Sequence, residues 1–272
     1  MQHDNDNIPS THTENPWQQL RHYTDARIGL GRAGISIPTS HMLAFELAHA
    51  KAQDAVHEPL DIPKFTAELK QNDFKALICV HSQAKNRDTY LQRPDLGRRL
   101  DSPSCETLQS EKGVYDLSII IADGLSSQAI NNHAIPFLVQ LRHALDRDAQ
   151  TWNLAPLVLV QQGRVAIGDE VGEILNAKMT LILIGERPGL SSPDSLGLYL
   201  TWHPKIGTTD VDRNCISNIR TEGLSPEKAA QKALYLLRES RRLQLSGVQL
   251  KDRTSEDFIT GTIYHETQTT IT

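Results

Sequence analysis

The chain is poor in aromatic residues, in cysteine and in long apolar runs, and each shortage removes a class of function. Phe, Tyr and Trp make up 5% of its 272 residues, too few for the stacking surfaces that single-stranded nucleic acid needs. A net charge of −5 and a pI near 6.1 also give no electrostatic case for nucleic-acid binding. The three cysteines, Cys79, Cys105 and Cys215, are odd in number, far apart and in no CxxC spacing. Neither a disulfide framework nor a zinc site is therefore expected, and a reducing compartment is the default. No stretch approaches the ~20 apolar residues of a membrane span. The opening MQHDNDNIPSTHTENP has neither the basic segment nor the apolar core of a secretory signal, so a soluble intracellular protein is expected.

What the chain does contain is an alternation of short apolar runs with helical patterns. The run Leu181 to Ile184 is too short for a helix and rich in branched side chains, which reads as a strand buried on both faces. Ala76–His81, Asp116–Ala122 and Leu157–Gln161 read the same way, and Leu198–Trp202, more mixed in composition, reads as a further strand at an edge. Helices are predicted from Thr39, as N-cap, to Val56; from Ile62 to Gln71; from a cap at Ser126 or Ser127 to about Asp146; over Ile167 to Leu175; and from Pro226 to about Leu245, capped by Ser225. Strands and helices in this order imply an α/β fold: a Rossmann-like, parallel-sheet domain over residues 73–250. Ahead of it lie a small helical region, 16–72, and a polar, disordered segment, 1–15. A polar tail, 251–272, follows it.

Open α/β sheets bind ligands at the carboxyl ends of their parallel strands. Three such ends carry polar, glycine-bearing loops: Asp123–Ser127, Gln162–Val165 and Gly185–Ser195. If the strands are neighbours, the loops form one crevice offering Asp123, Arg164, Glu186, Arg187, hydroxyls and backbone N–H groups. The competing reading is well-made turns with solvated charges.

Other patterns have plainer explanations. Gly29-Leu-Gly31-Arg-Ala-Gly34 has the spacing of a dinucleotide fingerprint, but no buried strand precedes it. A tight loop that binds no NAD is expected, its flanking Arg21, Arg27 and Arg32 available to a partner's acidic surface. His41, His49 and His57 fall at i, i+8 and i+16, not the i, i+4 of a zinc helix. Asp169, Glu170 and Glu173, at the start of a predicted helix, are accounted for by the helix dipole. No Gly-x-Ser-x-Gly elbow and no phosphate-loop lysine motif are present. From residues alone this is a ligand-binding α/β protein without a visible catalytic set.

Six blocks, in one order, carry a resemblance. They are Thr24–Gly34 (TDARIGLGRAG), Tyr90–Leu100 (YLQRPDLGRRL), Asp123–Ser126 (DGLS), Gly163–Glu170 (GRVAIGDE), Gly185–Leu190 (GERPGL) and Arg213–Ile219 (RNCISNI). Together, over about Leu20 to Val248, they resemble the small subunit of ethanolamine ammonia-lyase. The resemblance implies a subunit of an adenosylcobalamin-dependent lyase that converts ethanolamine to acetaldehyde and ammonia. A large subunit holds the substrate, and the cobalamin lies between the two chains. The family's cobalamin contacts fall here on Val165, Glu186 and Cys215, with Arg164 and Arg187 as further candidates. The resemblance accounts for the missing acid–base set, because the cofactor carries the hard chemistry. It also fits the absence of an Asp-x-His-x-x-Gly loop, which some cobalamin enzymes use to supply a histidine to cobalt. Some members carry a longer N-terminal extension linked with bacterial microcompartments. About 19 residues precede Leu20, where the resemblance begins here, so cytoplasmic residence is the expectation and a microcompartment the alternative. The rivals from other classes are a free-standing nucleotide-binding oxidoreductase, favoured only by Gly29–Gly34, and a non-enzymatic interaction protein.

Overall fold

Each apolar run of the sequence becomes a strand of a single mixed sheet in the structure, a computed structural model that describes residues 12–253. Most of the segment expected to be disordered, and residues 254–272 of the expected tail, lie outside the described residues. At the N-terminus, β1 (His12–Thr13) pairs antiparallel with β2 (Arg32–Ala33), and a 3₁₀ helix, Pro16–His22, is capped by Asn15. Then come α1 (Thr39–His57) and α2 (Ile62–Gln71). Thr39 is already helical; Pro38 occupies the cap position and no side chain caps this helix, so the expected Thr39 cap is not formed.

The main part runs β3 (Leu77–His81), α3 (Arg87–Gln92), α4 (Ser102–Ser110), β4 (Tyr115–Ala122), α5 (Ser127–Ala129), α6 (Ile135–Asp146), β5 (Leu157–Gln161), α7 (Ile167–Leu175), β6 (Ala177–Gly185), β7 (Leu196–Trp202), β8 (Arg213–Ile219) and α8 (Pro226–Leu243). The helix expected from Ser126 to Asp146 is capped by the Ser126 hydroxyl, but passes through a π turn at Ile130–Ala134. Pro136, just beyond, has no N–H to give to a regular ladder, and the wide turn absorbs that missing bond. Helix α4 is absent from the sequence reading, although Asp101 caps it with a bond from the Ser104 N–H at 2.9 Å and Pro103 follows in its first turn.

The strand order is β3-β5-β4-β6-β7-β8. The first four are parallel; β7 and β8 are antiparallel additions. Strand β7 is therefore interior, not the edge its mixed composition suggested, and the edge is β8. Alternate residues point to opposite faces. Ile119, Ile121, Leu181 and Leu183 join the core with α2, α6 and α8, while Ile120, Ala122, Ile182 and Ile184 join the core with α4 and α7. On the α8 side, Leu198, Leu200 and Ile216 are buried too. On the α7 side the sheet extends past its helical cover: Tyr199 is only partly buried, and Cys215 and Ser217 are exposed. That bare wing positions the candidate site. No helix among the described residues is long and apolar enough to cross a membrane.

Candidate functional site

An open groove of about 580 Å³ lies beside this wing, with Arg164, Val165 and Glu170 on one side, Tyr199 and Arg213 beneath, and the loop Ile206–Asp210 opposite. Its first wall is the turn after β5. Gly163 packs so closely over β4 that an added Cβ would lie 3.0 Å from the Ala122 side chain. The Gly163 carbonyl accepts from the buried Tyr90 hydroxyl at 3.1 Å. Arg164 stacks over the Tyr90 ring at 4.1 Å, donates to the Tyr90 carbonyl at 3.1 Å, and anchors its own N–H on Gly97 at 2.7 Å. The Arg164 Nε is buried and has no hydrogen-bond partner among the described residues. Val165 follows at the groove's rim.

The carboxylates at the start of α7 do more than complement a dipole, and the dipole reading of them is incomplete. Glu170 takes a two-pronged bond from Arg99 at 3.1 and 2.9 Å and a third from the Leu100 N–H at 2.8 Å. Asp169 pairs with Arg213 of β8. Arg213 also donates to Asp210 at 2.7 Å and to the Thr208 carbonyl at 2.8 Å. Glu173 accepts from the Ile206 N–H at 2.8 Å. Three adjacent acids of one helix thus hold both walls of the groove. Burial pushes the Asp169 carboxyl up to about 6, with Arg213 and Thr201 pulling the other way.

Glu186, first residue past β6, lies across β7: an added Cβ on Gly197 would meet its Oε1 at 2.8 Å. Its Oε2 accepts from the Ser195 hydroxyl at 2.5 Å and from the Asn218 N–H at 3.3 Å, and Oε1 has no partner among the described residues. Tyr199 and Cys215 are directly paired across β7 and β8. Lost solvation pushes both pKa values up, and the Glu186 charge adds to each. The fold thus brings Val165, Glu186 and Cys215, from three separate blocks, around one bare patch of sheet.

Two residues of the expected crevice do something else. Asp123 is buried and faces inward, accepting from the N–H groups of Gly124 at 2.9 Å, Gln162 at 2.9 Å and Gly163 at 3.1 Å; it ties loops together and presents nothing to a ligand. Arg187 is exposed and is not part of this groove's lining. Tyr199 and the Asp169–Arg213 pair escaped the sequence reading. Nothing local marks an ion pair 44 residues apart, whereas Tyr199 stands out only as the single aromatic within its strand's apolar run before Trp202.

The fingerprint-like glycines Gly29, Gly31 and Gly34 all have positive φ, at 60°, 75° and 61°, and no strand of the large sheet precedes them. They form a tight loop, as their setting in the sequence indicated. Among the described residues no cluster of three or more His, Cys, Asp or Glu side chains could hold a metal.

The sequence profile of the family described as "Ethanolamine ammonia-lyase light chain (EutC)" matches residues 14–251. The chain is 55% identical over 248 residues to the "Ethanolamine ammonia-lyase small subunit" of Pseudomonas fluorescens (strain Pf0-1), covering 90% of this chain and 89% of that one. The protein of the same description from Ralstonia nicotianae is 54% identical over 93% of this chain and 94% of its own. That from Azotobacter vinelandii is 57% identical over 88% and 89%.

Proposed function

The chain belongs to the ethanolamine ammonia-lyase light-chain family, and from that premise we propose that it is the small subunit of an adenosylcobalamin-dependent lyase. In this reading it covers one side of the cofactor while a large subunit holds ethanolamine and the other side. Adenosylcobalamin, when bound, supplies the radical hydrogen abstraction that leads to acetaldehyde and ammonia. This chain binds and orients. The observation that carries the reading is the convergence of Val165, Glu186 and Cys215 on one uncovered stretch of sheet beside the groove.

The residues suit such a ligand. A corrinoid's rim bears amide side chains, each with a donor and an acceptor. The Glu186 Oε1 accepts from an amide N–H, and the Arg164 side chain, in the groove wall, donates to an amide carbonyl. The flat Tyr199–Cys215 surface between them takes apolar contact. Pockets that hold a ligand alone bury most of its surface. This groove is open, so a ligand the size of a corrinoid rests on it half covered and needs a second protein surface over its other face.

The test uses the chain co-purified with its large subunit. Ser195 and the Asn218 N–H hold one oxygen of residue 186, so in Glu186→Gln the amide oxygen takes that place and an NH₂ group replaces the free acceptor. A charge-assisted hydrogen bond contributes about 1.5–3 kcal/mol, so cobalamin affinity is expected to weaken roughly ten-fold or more. Turnover at saturating cofactor falls much less, because the reacting groups of the substrate lie on the other subunit. The chain purified alone shows no ethanolamine turnover with added adenosylcobalamin. Unchanged affinity in Glu186→Gln, or turnover by the isolated chain, contradicts the proposal.

A further inference from the structure

Apolar side chains that a chain leaves bare are scattered singly on most proteins, and a concentration of them marks a surface that something else covers. Here they are concentrated. Of the sixteen large hydrophobic residues exposed among the described residues, ten lie between Trp17 and Leu47. Tyr23 is 87% exposed, Trp17 65%, Leu43 60% and Leu47 57%.

Helix α1 makes the point physically. Its second half is seated on the rest of the chain: Ala55 is buried, and the Val56 carbonyl accepts from Arg87 Nε at 2.6 Å. Its first half, with Met42, Leu43, Phe45 and Leu47, is apolar on nearly every side and exposed. A helix that is hydrophobic all round belongs in an interior, and the described residues provide none for it.

The segment before α1 is held in shape without being covered. Gly29, at φ 60°, sits so close to the 3₁₀ helix that a Cβ there would lie 2.9 Å from the Trp17 carbonyl. β1 and β2 pair, and Asp25 reaches Arg220 at 3.9 Å. A pre-shaped surface of aromatic, methionine and arginine side chains has the composition of a protein–protein interface core.

We infer that this arm, Trp17 to Leu47, is the surface by which the chain docks the large subunit; the inference rests on the two-subunit reading above. Two observations select that occupant over a second copy of this chain. Arg21 and Arg32 have no acidic partner among the described residues, and Arg27 is stacked on Phe45 at 5.3 Å. A two-fold interface brings the same patch against itself, so arm on arm sets these arginines against one another. An apolar surface with acidic residues on a different chain satisfies both features. The arm also adjoins the loop end of the sheet: Asp25, Ala55, Pro193 and Arg220 line one cleft. A partner seated on the arm is thereby placed next to the loop that begins with Glu186.

The experiment compares complexes of the full chain with its large subunit. Leu43→Asp/Leu47→Asp puts two charges on one exposed stripe of α1, where they cannot disturb the chain's own core. The expected result is a chain that keeps its melting temperature but binds the large subunit on the order of a hundred-fold more weakly, because unpaired charges are buried on docking. Val114→Asp, at an equally exposed apolar position near the start of β4, leaves assembly unchanged. The inference is overturned if the double variant binds the large subunit as tightly as the parent chain. It is also overturned if Val114→Asp weakens assembly equally, or if the double variant loses only self-association in sedimentation. Failure of the parent chain itself to bind the large subunit removes the two-subunit reading, and this inference with it.

Discussion

Replacing Arg213 with methionine is expected to cost about 3–5 kcal/mol of folding stability at neutral pH, the range for breaking a buried ion pair from one side. Methionine fills much of the same volume, so packing is not the cause. Arg213 and Asp169 are each less than a tenth exposed, and without the guanidinium Asp169 is a buried charge whose remaining help comes from Thr201. The loss is large beside the roughly 5–15 kcal/mol that holds a typical domain together. Its pH dependence identifies the mechanism. The Asp169 carboxyl sits at about 6 in the folded chain, above the roughly 3.9 of an unfolded aspartate. Between those values the folded state keeps a proton that the unfolded state has released, so this group's contribution to stability falls as pH rises. Removing Arg213 takes away an influence that lowers this pKa, and the window extends upward. The deficit of Arg213→Met relative to the parent is therefore expected to be smaller at pH 5 than at pH 8 in urea unfolding. The double change Arg213→Met/Asp169→Leu should recover most of it. A deficit independent of pH, and not relieved by the double change, would show that packing or the Thr208 and Asp210 bonds dominate.

Asp123→Ala is expected to destabilise the chain by about 3 kcal/mol or more. Three backbone N–H groups, from Gly124, Gln162 and Gly163, converge on this carboxylate, and each buried donor left unpaired costs about 1–3 kcal/mol. Gln162 is held at φ 54°, a conformation that a residue with a side chain adopts at a cost, and its bond to Asp123 helps to offset it. In Asp123→Asn the amide oxygen can keep the Gly124 and Gly163 bonds while its NH₂ faces the Gln162 N–H. That variant should fall between the parent and Asp123→Ala. Thermal and urea unfolding of the three chains give the order directly. If Asp123 instead touched a ligand, both variants would lower cofactor affinity and leave the stability of the free chain unchanged.

The parts of the fold legible in the sequence are those whose signal is local. Leu157–Gln161, Ile62–Gln71 and Ile167–Leu175 appear with the boundaries expected of them, because a short apolar run between breakers, or an apolar stripe at helical spacing, needs no distant contact to define it. That β4 lies between β5 and β6 is decided only by the fold; the sequence leaves their neighbouring a condition. Strand β8 carries no local signal of a strand. Its Arg-Asn-Cys-Ile-Ser-Asn-Ile has one apolar face, met by α8, and one bare face, and a half-buried edge carries a weak pattern. Strand β7 reads as an edge for the same reason, since nothing in its own residues announces β8 beyond it. The blocks shared with the light-chain family pointed to Val165, Glu186 and Cys215 by position alone.

The sequence by itself therefore determined the class of fold, most of its elements and the family, because periodicity, capping residues and ordered motifs are written along the chain. Only the tertiary structure decided which residues share a surface. It turned Asp123 inward onto three N–H groups, made Asp169, Glu170 and Glu173 the struts of a groove, and left Tyr199 and Cys215 bare beyond the edge of α7. It also left the first half of α1 apolar and uncovered. The physical reason is one of range: a side chain's neighbours across a sheet are tens of residues away in sequence. Whether a carboxylate meets an arginine, a backbone amide or open solvent is set by which strands pair and how far the covering helix reaches.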